Sequence, residues 1–291
     1  MRFSALAFTV AGVITAADAA KILIVGDSMG EFSTNVLETY CAGAEVKNAG
    51  LAGTKADDWA NDINADAVKG CGSSFDYVWM SFGGNDMLES DGCSMTAETM
   101  QSKVTAAINN VKTNIAPGAT KYLMTCYCQP KSAESGSACN TPEKTVPLCA
   151  GIKAACDLDS NVEYVDSFES CGGSSSAWSN PGYFEDAIHL NKRGYCKVFT
   201  QAAIQTLFQC GERAYDCDNE DCTMTGYNLQ CAGDASKDEY DGGSCTAING
   251  GGGGGGGGDD GDVDLGAASS LRVSLMATGV ALAVVMAVCG V

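Results

Sequence analysis

The sequence holds a single histidine, no Cys-x-x-Cys pair, no Asn-x-Ser/Thr acceptor, and only 17 basic residues against 36 acidic ones. Each shortage removes a class of function. With His189 alone and no paired-cysteine spacing, a metal site of Cys and His ligands has no frame to stand on. The formal net charge of -19 leaves no clustered Lys and Arg for phosphates, which argues against nucleic acid and anionic membrane surfaces as partners. Solubility outside the cell is the plain reading of such charge. N-glycosylation is not expected. The acidic run Tyr215 to Cys222, "YDCDNEDC", lacks the spacing and closing Glu of a calcium loop.

What the chain does have is cysteine, sixteen of them in 291 residues. Residues 1–19 read as a secretory signal: Met1-Arg2, an apolar run from Ala5 to Ala17, and a small-residue exit at Ala17-Asp18-Ala19, so the mature chain is expected to start near Ala20. Export and cysteine together imply an oxidising compartment and a disulfide framework. At the far end, Val273 to Val291 carries no charge and follows the small residues Gly266 to Ser270. That pattern fits a GPI attachment signal better than a retained membrane helix, which would want a basic flank; a plain hydrophobic end is the third alternative. Loss of that tail would take Cys289 and leave an odd number, so one thiol is expected to be free or paired between chains.

Strand-like runs fall at residues 21–25, 45–48, 75–82, 121–126 and 162–166. Helix-compatible stretches lie between them at 31–40, 56–68, 97–114 and 144–155, and a last helix spans 192–208 with apolar positions Val198, Phe199, Ala202 and Leu207 and Asn191 as its cap. Strands alternating with helices require parallel pairing by right-handed crossovers, an α/β fold with helices on both faces of an open five-stranded sheet. Trp79 and Phe82 are then core residues. The polar stretch from Cys128 to Pro147 reads mostly as a loop whose last residues start a helix.

Domain boundaries follow composition: a folded domain at 20–209, a Cys-rich appendage at 210–248, a Gly/Asp linker at 249–264, and the apolar tail at 265–291. The appendage holds five cysteines between Cys210 and Cys245, and its Tyr215, Tyr227 and Tyr240 are expected to fill a scarce core. Nine consecutive glycines from Gly250 to Gly258 make a flexible tether spanning on the order of 17 Å.

The stretch "ILIVGDSMG", Ile22 to Gly30, ends the first strand on Gly-Asp-Ser, placing Ser28 where open α/β sheets bind their ligands. A serine hydroxyl needs a base, itself oriented by a third group. His189, in "FEDAIHLN", is the only imidazole, and Asp186 stands three residues before it, so Ser28, His189 and Asp186 are the candidate nucleophile, base and orienter. Candidate oxyanion donors are Gly53 of "NAGLAG", Asn85 of "FGGNDM", and the N–H of Ser28.

Gly26-Asp27-Ser28, Gly53 after Asn48, Gly83-Gly84-Asn85-Asp86 and Asp186-x-x-His189 together resemble the four blocks of the SGNH (GDSL-type) hydrolase family, in family order over about residues 21–209. The resemblance implies a flavodoxin-like three-layer α/β/α sandwich and a serine esterase in which Ser28, Gly53, Asn85 and His189 carry the name-giving roles and Asp186 completes the triad. It implies no metal and no organic cofactor. Met29 departs from the family name, which has Leu. "GDSMG" also fits the elbow of α/β-hydrolases, but that fold places strands and an oxyanion loop ahead of the elbow, and here too little mature chain precedes Ser28. The expected substrate is an O-acyl ester, of acetylated polysaccharide or alternatively of a short-chain or lysolipid alcohol. Competing readings are a non-catalytic carbohydrate-binding protein on a hydrolase scaffold, and acyl transfer to sugar in place of water.

Overall fold

In a computed structural model of the chain, the described residues are 19–33, 36–61, 68, 71–72, 74–88, 94–126, 141–173, 180–185, 188–210 and 214–219. Five parallel strands form one sheet: β1 (Lys21–Gly26), β2 (Glu45–Asn48), β3 (Tyr77–Ser81), β4 (Lys121–Cys126) and β5 (Val162–Asp166), in spatial order β2-β1-β3-β4-β5. The order reverses at β1, which pairs with β2 on one side and β3 on the other. This is the flavodoxin-like arrangement, and such a reversal opens a crevice at the carboxyl ends of the strands.

Successive strand side chains point to opposite faces, and both faces are apolar. Leu23, Val25, Val78, Met80, Tyr122 and Met124 face α3 (Ala56–Ala60), α4 (Gly84–Leu88), α5 (Ala97–Asn110) and α6 (Pro142–Cys156). Ile22, Ile24, Tyr77, Trp79, Leu123 and Val165 face α1 (Ser28–Ser33), α2 (Val36–Tyr40), α7 (Lys192–Phe199) and α8 (Ala202–Leu207). Trp79 and Phe82 are both buried, one in each layer. Fully burying a Leu, Ile or Phe side chain contributes roughly 1.5–3 kcal/mol, so these two apolar layers, and no local propensity, hold the sandwich together.

The strands lie where their sequence pattern puts them, except that β3 is shorter at both ends. The helices depart more. The first begins three residues early, at Ser28 itself, because the Asp27 carboxylate accepts from the Met29 N–H at 3.0 Å and starts the turn. α5 passes into a π-helical turn, Val111–Ile115. α6 starts at Pro142, where a missing N–H has no cost, and takes in the end of the stretch expected to be loop; residues 127–140 lie outside the described residues, as do 62–67 of the helix expected at 56–68. The last helix is two. A break at Thr200 and Gln201 shifts the phase, so Ala202 is exposed, while Ile204 and Phe208 are buried. Asn191 does cap α7, its Oδ1 accepting from Gly194 N–H at 3.1 Å.

Three disulfides join described residues: Cys41–Cys210, Cys126–Cys149 and Cys196–Cys217. The first and third tie the opening of the Cys-rich segment to α2 and α7. Tyr215 fills no separate core: its ring meets Tyr40 edge-on at 4.9 Å and its hydroxyl donates to the Tyr40 carbonyl at 3.2 Å. Tyr227, Tyr240, the glycine tether and the apolar tail lie outside the described residues. Among the described residues no helix is long and apolar enough to cross a membrane. Cys156 is a buried free thiol, pushed up to about 12 by burial, with the Asp157 carboxylate adding to the rise.

Two outcomes are expected. Iodoacetamide near neutral pH leaves Cys156 unlabelled in the folded protein and labels it after denaturation, because the thiolate is the reactive form; labelling of the native chain at the unfolded rate would contradict its burial. Replacing Cys41 and Cys210 together by Ser lowers the unfolding free energy by about 2–4 kcal/mol in denaturant titration, since the cross-link closes a very long loop.

Candidate active site

The nucleophile candidate sits at a turn that only glycine allows. Gly26, with φ +142°, ends β1, and a Cβ there would lie 2.2 Å from the Ser81 carbonyl oxygen. Across that gap the Asp27 N–H donates to the same carbonyl at 2.9 Å. The chain then turns straight into α1, making Ser28 its first residue, buried but for 8% of its surface. From below, the Tyr195 hydroxyl of α7 donates to the Met29 carbonyl at 2.9 Å.

His189 comes from a pinned turn ahead of α7. Phe184 and Leu190 form an antiparallel bridge, Glu185 N–H donates to the His189 carbonyl at 2.9 Å, and the Asn191 amide donates to the carbonyls of Gly182 and Phe184 at 2.9 and 3.2 Å. The result is a 3.0 Å contact between His189 Nε2 and Ser28 Oγ, across 161 positions of sequence. For Nε2 to accept the serine proton, Nδ1 must carry the ring hydrogen. Phe32 packs edge-on against the imidazole, centroids 4.6 Å apart. Asp186, the orienter candidate, lies outside the described residues.

The oxyanion candidates flank β1 because β2 and β3 do. Leu51 N–H donates to the Gly26 carbonyl at 2.8 Å, tying the loop after β2 to the end of β1. Thr54 gathers the next bonds: its hydroxyl donates to the Leu51 carbonyl at 2.7 Å and accepts from Trp59 Nε1 at 2.9 Å, while its carbonyl accepts from Asn85 Nδ2 at 2.8 Å. Buried Asp86 accepts from the Ala56 N–H at 2.9 Å, fastening α4 to the start of α3, and pairs with Lys103 at 3.4 Å. Among the described residues the N–H groups of Ser28 and Gly53 meet no acceptor, and one of the two Asn85 amide hydrogens is left over.

The sequence profile of the GDSL-like lipase/acylhydrolase family matches residues 24–196, a span that contains every one of these groups. The chain belongs to that family. Its fold is shared with a Streptococcus pneumonia protein whose description refers to platelet activating factor, at 17% identity over 68% of this chain and 85% of that one, TM-score 0.50. Two others are similar: a GDSL-like lipase from Bacteroides thetaiotaomicron, at 20% identity over 65% of this chain and 87% of that one, TM-score 0.48, and a carbohydrate acetylesterase from Sinorhizobium meliloti, at 15% identity over 65% and 97%, TM-score 0.48. No curated protein matches the sequence.

For a GDSL-like acylhydrolase, the geometry adds residues that motif reading passed over. Phe32 stands at i+4 from Ser28, on the same helix face, and that spacing was the available signal. Tyr195 and Thr54 gave none, since each acts through a partner far away in sequence. Replacing Asn85 by Ala is expected to lower kcat by about 100- to 1,000-fold with little change in KM, the usual loss when one oxyanion donor is removed. Gly53→Ala keeps the backbone N–H and meets no atom within 4 Å but must hold φ +80°, so a smaller loss of turnover with a lowered melting temperature is expected; full activity of Asn85→Ala would exclude its amide from the site.

Proposed function

We propose that this acylhydrolase is a serine ester hydrolase working through an acyl-enzyme on O-acyl esters outside the cell. The single observation that carries the reading is the 3.0 Å contact between Ser28 Oγ and His189 Nε2, flanked by backbone donors that the fold leaves unused. In the proposed reaction Ser28 Oγ attacks the acyl carbon while its proton passes to His189 Nε2. The carbonyl oxygen becomes an oxyanion, held by the N–H groups of Ser28 and Gly53 and by the Asn85 amide. Collapse expels the alcohol, which takes the proton from His189. A water then repeats the sequence, His189 accepting its proton as the oxygen attacks the acyl-enzyme, and Ser28 is restored as the acid leaves. Asp186 is assigned the orienting role at Nδ1.

Disulfides between described residues support an oxidising compartment. A protein exported there meets polysaccharides, so an acetylated polysaccharide is the proposed substrate class, and anchoring through the C-terminal tail is proposed with it.

Purified protein is expected to hydrolyse short-chain nitrophenyl esters and to react with a fluorophosphonate at Ser28, and Ser28→Ala is expected to abolish both. Absence of turnover in the parent, or turnover that survives Ser28→Ala, overturns the proposal. On natural substrates, acetate release from acetylated polysaccharide exceeding fatty-acid release from lysolipid is the expected result; the reverse preference overturns the substrate class alone.

A further inference from the structure

We propose that Glu31 is a positioning residue for the oxyanion site, holding the backbone that presents Gly53 in register with Ser28. The inference rests on the reading of the site given above. Glu31 lies one helical turn beyond Ser28 on α1 and is buried, with only 5% of its surface exposed. A buried carboxylate is costly to keep unless it is hydrogen-bonded, and the Ala52 N–H donates to Glu31 Oε2 at 2.5 Å. Ala52 is the residue directly before Gly53.

The backbone around Glu31 is fastened to the same loop. Its N–H donates to the Asp27 carbonyl at 2.9 Å. The Asn48 amide, at the end of β2, donates to the carbonyls of Gly30 and Glu31 at 2.8 and 3.3 Å, and Asn48 Oδ1 accepts from the Gly50 N–H at 2.9 Å. These bonds fix the strand end, while the carboxylate reaches further, to the one amide between Leu51 and Gly53. Leu51 is already bonded to Gly26 and Thr54 is held by Asn85. Glu31 therefore supplies the restraint on the near side of Gly53 that Thr54 supplies on the far side. An oxyanion donor acts through its placement before the reaction begins, so loosening this amide lowers the rate of the chemical step more than it weakens substrate binding.

The test compares Glu31→Ala with Glu31→Gln, whose side-chain carbonyl still accepts from the Ala52 N–H. On short-chain nitrophenyl esters, Glu31→Ala is expected to lose on the order of 10- to 100-fold in kcat with KM within a few-fold of the parent, and Glu31→Gln is expected to restore most of it. Turnover of Glu31→Ala within twofold of the parent, a loss confined to KM, or a Gln variant as slow as the Ala variant overturns the proposal. Amide hydrogen exchange gives a readout that needs no turnover: protection of Ala52 is expected in the parent and in Glu31→Gln and lost in Glu31→Ala, with strand β1 unchanged. Equal Ala52 exchange in all three proteins overturns the role of Glu31 even if the ester-hydrolase reading fails separately.

Discussion

The hydrogen bond from the Tyr195 hydroxyl to the Met29 carbonyl, joining positions 166 residues apart, is the constraint on which the geometry of the candidate site depends. Met29 follows Ser28 on α1, and Tyr195 lies six residues beyond His189 on α7. One side chain thus ties together the two elements that bring Ser28 and His189 into contact. Tyr195 cannot move independently, because its ring stacks on Phe199, which meets Trp79 edge-on at 4.9 Å, and Trp79 is held in turn by a 3.1 Å bond to Thr125. Aromatic pairs of this kind contribute about 0.5–1.5 kcal/mol each beyond their burial. The chain leaving β5 at the far edge of the sheet returns across this face to seat α7, and His189 arrives at Ser28 as a consequence.

The other half of the site belongs to the opposite layer. Gly53 precedes α3 and Asn85 opens α4, and both helices pack on the face that holds Trp59, Phe82 and Met100. Ser28 and His189 belong to the layer of α1 and α7. The strand ends of β1, β2 and β3 are where the two layers meet, so the site straddles the rim of the sheet and inherits its rigidity. Thr54, Asp86 and Glu31 are the polar connections that carry this rigidity into the loops. Each uses its hydrogen bonds on backbone or side-chain neighbours.

How legible this was in the sequence depended on the range of the interaction. The five strands could be read from local signals, clearest in the apolar runs Ile22 to Val25 and Tyr77 to Met80 that end on turn residues. Ser28, Gly53, Asn85 and His189 became candidates because each stands in a motif of its own at a strand's carboxyl end, and of these the structure brings His189 within 3.0 Å of Ser28. The helix ends could not. The Asp27 carboxylate, one residue back, moved the first helix start to Ser28, and the break at Thr200 changed which face of the last segment is buried, so that Ile204 took the core place expected of Ala202. Tyr195, Thr54 and Glu31 have no motif; their roles exist only through partners that folding brings near.

The change in composition at Cys210 marks the limit of what local reading reports. Few apolar residues follow it, and composition alone marks a new unit. Yet Cys210 is bonded to Cys41, Cys217 to Cys196, and Asp218 accepts from the Tyr183 hydroxyl at 2.8 Å while pairing with Lys197. Those hydrogen bonds hold the Asp218 carboxyl below the usual carboxylate range. Every one of these partners lies just after α2, on α7, or on the turn that leads to His189. Composition reports how much surface a segment buries, and a short strap needs little burial when covalent bonds fix it, because a cross-link acts by restricting the unfolded chain. The first residues of the Cys-rich segment are therefore fastened to the layer that carries His189, although the composition changes at Cys210.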